Sequence, residues 1–599
     1  MTSKSNTITL ESDILVIGAG WAGFFAAIKA RETGVSVTMV DKGFASRTGA
    51  SSCNDGHFTV YNEEWGAKLD AWIKQHSEIG EYMNNPAWTE ISCLESYECF
   101  KDVLSWGIVP PTDDEGKLIH PFGKPRRENG VDAIWIGWGD TTMPFIRKYA
   151  LKVGVNIVDR VHVTDLIKHD GVINGAVGFS TQTADFYVFK AKATVLATGT
   201  SAFKTHAPAY LASKSSFDGE AMAYRAGAAI SGMEFACMSR WAPFVGEFPE
   251  GTPTHPREGR EINNCYAKNM NWSFITPAMM AGNYTDADGK GRSFIHPYGL
   301  MAVHGGKGPL LQDLSDVTEE EMQHALRLYE PDYERFNAVG IDPLERGLFS
   351  GIFTMAESFM GRHMGGSGGI SSTDLNGGTT LPGLFGAGDS YHSGVSGAKY
   401  PSGGTGVRVA MTTGARAGKA AVKFANERKT DVTISDGEFE KLRTYALGPL
   451  ERKGGFDPDW ISVQVTNVIT PYYTFGVRSG ERLKSALSIL EFLNNHVAPL
   501  AYATDAHYLC MVQDARSRII GAMMMVSSAL FREESRGLQY REDFPYRDDK
   551  NWLCHVVIEQ KDSKMSLSKK SIKEWWPDLE TKPYSEKYPD RYLGEVISD

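Results

Sequence analysis

A chain of 599 residues is too long for one hydrophobic core and implies about two to four domains. Its composition, 42% hydrophobic and 23% charged, is that of a globular protein, and a formal charge of -11 argues against general binding to nucleic acid or anionic membrane. Seven cysteines without a close Cys-x-x-Cys pair indicate neither a disulfide framework nor a self-contained iron–sulfur cluster, and the histidine spacing gives no metal site.

Residues 1–13 lack the apolar segment of an export signal. Apolar Ile14 to Ile17 then reads as a buried parallel strand running into Gly18-x-Gly20-x-x-Gly23. Those glycines let a helix start close against a pyrophosphate, which rests on the unpaired N–H groups of the helix. A second strand, Val35 to Val40, ends at Asp41, the expected distance away to bind a ribose hydroxyl pair. Together these pieces specify a dinucleotide.

The stretch to about Phe145 is polar and aromatic, with helical character from Tyr97 to Trp106 and an irregular loop from Pro110 to Asn129. Strand patterns return at Val155 to Val158, Val161 to Thr164 and Ala193 to Gly199, with a hairpin expected over Gly171 to Gly175. The block from Trp241 to Met355 interrupts this domain, and a helix is expected to begin near Thr318. Small and apolar residues from Val407 to Phe424 predict a helix, as do Gly480 to Asn494 and Ala515 to Arg532. Within the last of these, Ile519 to Phe531 is the longest apolar stretch. It is too short to span a bilayer, so a cytoplasmic chain without a transmembrane segment is expected. Leu538 to Asp599, rich in aromatics and charge, reads as an extended tail.

Further ordered motifs resemble the flavoproteins of the succinate dehydrogenase and fumarate reductase type, which include the adenylylsulfate reductase alpha-subunit family. They are Ser46 to Ala50, Phe217 to Ala228, Leu381 to Asp389, and Glu534-Ser535-Arg536-Gly537 continuing to Pro545. The resemblance implies an α/β chain (α+β overall), with a Rossmann-like FAD-binding domain, an inserted α+β capping domain and a C-terminal helical domain. The corresponding ranges are 1–240 and 356–430 for the FAD domain, 241–355 for the cap, 431–537 for the helical domain and 538–599 for the tail. The FAD-binding positions it implies are Gly18, Gly20, Trp21, Ala22, Gly23, Asp41 and Lys42 in the opening unit. Arg47, Thr48, Gly49 and Ala50 follow, then Ala197, Thr198, Gly199 and Asp218. Gly388, Asp389, Ser402 and Gly403 complete the set.

Two departures bear on chemistry. Where membrane-bound succinate dehydrogenases carry the histidine joined covalently to flavin, this chain has Gly49, so non-covalent FAD is expected. A dicarboxylate-binding histidine would fall near Ser239, and the substrate arginine is replaced in the region of Lys399-Tyr400, which argues against ordinary fumarate or succinate turnover. Gly361 to Gly366 instead resembles the adenylylsulfate reductase segment carrying an active-site histidine, here His363. Ser396 to Gly404, continuing to Arg408, resembles that family's lysine-containing glycine and serine stretch.

His363 is the candidate proton-transfer group, because imidazole changes charge near neutral pH. Arg240 is the candidate anion clamp and Trp241 the flat stacking surface beside it. Lys399 joins His363 and Arg240 as a catalytic candidate, and Tyr400, Arg408 and His392 join Trp241 on the substrate side. An FAD-dependent oxidoreductase is expected, acting on a small polar or anionic substrate, with an iron–sulfur or ferredoxin-like partner in a hetero-oligomer. The alternatives are the alpha subunit of adenylylsulfate reductase, producing AMP and sulfite, and a non-catalytic flavin-binding subunit.

Overall fold

Strand β1 (Thr7–Ile17) sends alternate side chains to opposite faces, so Ile14 and Val16 enter one apolar core while Leu15 and Ile17 enter another. In this computed structural model the described residues are 6–54, 56–119, 133–204, 216–238, 242–243, 266–268, 283–285, 291–293, 310–313, 349–354, 360–362, 365–430, 432–588, 592 and 595. A seven-stranded sheet separates the two cores. Helix α1 (Trp21–Arg31) and strand β2 (Val37–Val40) follow β1, and β2 pairs parallel with it, Val40 opposite Ile17. The predicted strand–helix–strand unit therefore places Gly18 and Asp41 at adjacent strand ends.

After helices α2 (Leu69–Ile79) and α3 (Pro86–Leu94), strand β3 (Asn156–Val158) returns to pair parallel with β2. Strands β4 (Val161–His169), β5 (Val172–Ser180) and β6 (Phe186–Leu196) form an antiparallel meander, and β6 runs parallel beside β1. The β4–β5 turn falls at Asp170-Gly171, with φ of 50° and 79°, so it takes in only the first residue of the hairpin expected over Gly171 to Gly175. Two consecutive positive φ values suit a two-residue hairpin because they follow the right-handed strand twist. Gly175 lies inside β5 instead, where a Cβ would stand 1.9 Å from the Phe189 carbonyl oxygen.

Helix α4 (Asp218–Ala226) and strand β7 (Ile230–Ser231) precede the inserted block. Its described strands, from Ala242–Pro243 to Phe349–Thr354, form a six-stranded sheet of their own. The helix expected near Thr318 lies outside the described residues. Strands β8 (Gly369–Ser371), β9 (Leu384–Gly386) and β10 (Tyr391–His392) follow, and β9 rejoins the main sheet parallel to β6. Helix α5 (Thr405–Glu427) then crosses α1 closely, since a Cβ at Gly414 or Gly418 would lie 2.3 Å from the carbonyl oxygen of Ala22 or Ala26.

Helices α6 (Pro458–Ile469), α7 (Gly480–Phe492) and α8 (Ala506–Phe531) are the main packed helices of the helical unit, which the helix Asp436–Leu447 precedes. The long α8 packs on both of the others and on α4. The C-terminal stretch departs from the expected extended tail. It forms a hairpin of β11 (Cys554–Lys561) and β12 (Lys564–Ser571), with β11 paired to β7. Val556 and Ile558, two residues apart, supply the buried face that ties this hairpin down. Among the described residues no helix is long and apolar enough to cross a membrane.

Candidate functional site

Helix α1 begins directly after Gly20 with no side-chain cap and no acid in its first turn, an arrangement that favours an anion at its N-terminus. Gly18, at φ 102°, and Gly23 are required by close packing. An added Cβ would lie 2.3 Å from the Ala197 carbonyl oxygen at the first and 1.8 Å from the Gly18 carbonyl oxygen at the second. A Cβ on Gly20 would meet Ser51 Oγ at 2.9 Å, and Ser51 Oγ accepts the Trp21 N–H at 3.0 Å. Ser51 went unassigned from sequence because a serine in a small polar loop has many uses. From the other side Gly388, at φ 68°, comes close enough that a Cβ would stand 2.9 Å from Ala22 Cβ, and its N–H donates to Thr413 Oγ1 at 2.9 Å. This glycine-lined space at the start of α1 fits the pyrophosphate of a dinucleotide.

Asp41 follows β2 as expected, and its carboxylate also braces the surrounding loops. Oδ2 accepts the Ala19 N–H at 2.8 Å, while Oδ1 accepts the Gly43 N–H at 2.8 Å and the Thr48 hydroxyl at 3.1 Å. Asp389 Oδ1 accepts the Gly365 N–H at 2.7 Å, which ties the return segment to the glycines following His363. Gly49 has φ 80° with no atom within 4 Å of an added Cβ, and Ala50 opens the short helix that carries Ser51. Exposed Arg47 donates to the Asp140 carbonyl at 3.1 Å. Beyond Ala197, the buried Thr198 Oγ1 has no partner among the described residues, and Gly199 lies beside it at φ 80° with open space around it. An orphaned hydroxyl beside an open glycine is a place where a cofactor polar group fits.

Lys42 and Asp218, assigned to the cofactor from sequence, turn their side chains to a different cluster. Lys42 Nζ lies 2.8 Å from Asp218 Oδ2 and 3.0 Å from Asp514 Oδ1, so it joins β2 and α4 to α8. Burial disfavours the Lys42 ammonium, but the two carboxylates outweigh that cost and raise its pKa. His162 joins through Nε2, 3.4 Å from Asp218 Oδ2. Burial works against the imidazolium, yet Asp218 pushes His162 up to about 10. His162, Cys510 and Asp514 present metal-ligand atoms within 4.8 Å of one another, but Lys42 already supplies a cation to the two carboxylates.

On the substrate side, His363, Arg240 and Trp241 lie outside the described residues. Lys399 Nζ is 2.9 Å from Glu81 Oε1, and both side chains are nearly inaccessible. Glu81 also takes two hydrogen bonds from the Arg547 guanidinium, 2.8 and 3.0 Å, and one from the Gly537 N–H, 2.9 Å. Glu81 and Tyr82 both hold positive φ, 49° and 59°, a strained pair that these bonds over-determine. Nothing in the local sequence marks Glu81, because its partners are far away along the chain. Tyr400 accepts the Gly406 N–H at 2.6 Å, while Ser402 and Thr405 exchange a hydroxyl contact of 3.1 Å. Gly403, between them, remains part of the loop that leads into α5. His392 is buried with its ring centroid 4.4 Å from that of His555, whose pKa burial depresses to about 4.

Arg408 requires a correction. It is 0% exposed and packs on His76, Cys93 and Trp72, so its guanidinium cannot touch a substrate. His76 Nδ1–H donates to the Trp72 carbonyl at 2.7 Å and leaves Nε2 to accept from Arg408 Nη2 at 2.6 Å. Burial and the adjacent guanidinium hold His76 down at about 3, so it stays neutral.

The Glu534 to Gly537 motif forms a fully buried ion network. Glu534 accepts from Arg532 Nη1 at 2.7 Å and from Arg536 Nε at 2.8 Å, and Arg536 reaches on to Asp549 at 2.8 Å. Its first task is therefore to anchor the C-terminal hairpin to the body.

Comparison with known proteins agrees with this geometry. Residues 13–242 match the model of the FAD binding domain, and residues 474–588 match that of the fumarate reductase flavoprotein C-terminus. The chain is 26% identical over 587 residues to a fumarate reductase flavoprotein subunit of Mycobacterium tuberculosis, covering 92% of this chain and 95% of that protein. It is 25% identical over 575 residues to a subunit of the fumarate reductase (CoM/CoB) of Methanothermobacter marburgensis, covering 92% and 97%. Its fold superposes on adenylylsulfate reductase from Archaeoglobus fulgidus with a TM-score of 0.73 at 22% identity, over 95% of this chain and 97% of the other.

Proposed function

The chain belongs to the fumarate reductase, succinate dehydrogenase and adenylylsulfate reductase flavoprotein superfamily and is an FAD-dependent oxidoreductase, and from that premise we propose its substrate and partner. The substrate is a small polar or anionic molecule bound between FAD and the inserted unit, and electrons pass to or from a separate iron–sulfur protein in a hetero-oligomer. FAD, when bound, exchanges two electrons with substrate and single electrons with a metal-cluster partner. The α1 start, Ser51, Asp41, Thr198 and the Gly388-Asp389 turn would hold it, without a covalent bond at Gly49. His363 would move a proton at the substrate, with Arg240 and Trp241 as clamp and stacking surface, and Lys399, which pairs with Glu81, would add positive charge near flavin or substrate.

The observation that carries the anionic reading is the positive character of the α5 start, since the equally acid-free α1 start is taken up by the pyrophosphate. Neither α1 nor α5 has an acid in its first turn, in a chain whose overall charge is -11. A second reading, adenylylsulfate as substrate, is favoured over fumarate by Ser239 and Tyr400, which stand where dicarboxylate-binding residues fall. The test is anaerobic turnover with a reduced dye as electron donor, offering adenylylsulfate and fumarate separately. Sulfite and AMP release with adenylylsulfate selects the second reading, succinate formation selects a dicarboxylate reductase, and reduced flavin that no small anion reoxidises sinks the proposal.

A further inference from the structure

Arg408 presents an electrostatic anomaly. It is fully buried, and its polar contacts among the described residues are a neutral imidazole and a thiol, His76 Nε2 at 2.6 Å and Cys93 Sγ at 3.4 Å. Among those residues no carboxylate lies in ion-pair reach, and Nε has no hydrogen-bond partner. Buried arginines are ordinarily paired, because removing an ion from water without a counter-charge is costly. Here the opposite has been built: Arg408 sits in the first turn of α5, where the helix dipole is also positive, and that turn holds no acid. The same helix borders the cofactor space one turn further on, where Thr413 Oγ1 accepts the Gly388 N–H at 2.9 Å.

We propose that Arg408 is a potential-setting residue, whose uncompensated charge acts through the apolar interior to favour the reduced, negatively charged form of FAD. Uptake of two electrons and one proton adds one negative charge to the flavin ring, and a positive charge that water cannot screen stabilises it. His76 is part of the device, because a neutral acceptor orients the guanidinium without cancelling its charge. The inference depends on FAD as cofactor and not on the proposed substrate.

The experiment measures the midpoint potential of the FAD-loaded full chain by equilibration with reference dyes, together with its thermal midpoint. Arg408→Met should lower the potential and raise the thermal midpoint, because an unpaired buried ion is removed. Arg408→Lys should lower the potential too, because a buried lysine without a counter-charge sheds the proton that arginine keeps. His76→Glu keeps Arg408 but supplies a counter-charge, and it should lower the potential as well. An unchanged potential in FAD-loaded Arg408→Met overturns the proposal. So does a drop in Arg408→Met that His76→Glu does not reproduce, since packing would then be the cause.

Discussion

At the scale of single residues, the cofactor site is governed by absent side chains. Gly23→Ala would put a methyl group 1.8 Å from the Gly18 carbonyl oxygen, so backbone has to move at the helix start that would hold the pyrophosphate. FAD affinity should fall at least about tenfold, roughly 1.4 kcal/mol, read by fluorescence titration of the apoprotein. Gly20→Ala meets only the tip of Ser51 and should cost less, because a side chain can rotate away. At Gly49 there is no group to bond to flavin, so acid precipitation should leave all flavin in the supernatant; a flavin-labelled peptide would disprove non-covalent attachment. Glu81→Ala removes the carboxylate that Lys399 and Arg547 share, while Arg547 keeps Glu595, and loss of a buried ion partner of this kind costs up to about 3–5 kcal/mol. A urea midpoint equal to the parent's would show that the network contributes nothing.

At the scale of elements, α1 and α5 meet backbone to backbone through Gly414 and Gly418. Gly418→Val should destabilise the FAD domain by about 1–3 kcal/mol through overpacking, seen as a lower midpoint in chemical unfolding. These elements were legible in sequence because their signals are local. A buried strand, spaced glycines and a terminal acid predicted the first unit, and small residues from Val407 to Phe424 predicted α5. The hairpin read over Gly171 to Gly175 is present but turns at Asp170-Gly171, and Gly175 answers instead to a close approach to Phe189. The tail was misread because Val556 and Ile558 gain their meaning only when β7 is present to pair with β11. The same limit applies to the site. The glycine pattern announced the cofactor, but Lys42 was read as a cofactor contact and Arg408 as a substrate contact, because Asp218, Asp514 and His76 come from distant segments.

At the scale of the whole molecule, ion clusters join elements distant in sequence, and their titration should bound the pH range of stability. Lys42, Asp218, His162 and Asp514 fasten α8 to the main sheet, while Arg536, Asp549 and Lys587 fasten the C-terminal hairpin. His162 is raised from its ordinary 6.5 to about 10. Its contribution is therefore complete below about pH 6.5 and disappears as pH rises through about 10. Asp549 is opposite in sign: burial disfavours its charge, but Arg536 and Lys587 hold it down at about 2 from an ordinary 3.8. Its contribution is present above the ordinary value and is lost as pH falls toward 2. The two losses sit in different joints, so alkaline and acid unfolding should begin at different places. Limited proteolysis should cut first around α8 at high pH and around the 554–571 hairpin at low pH. His162→Gln should flatten the fall of the thermal midpoint between pH 7 and 10 while leaving the acid limb unchanged. An alkaline limb that persists unaltered in that variant would assign the loss to lysines elsewhere and not to the α8 joint.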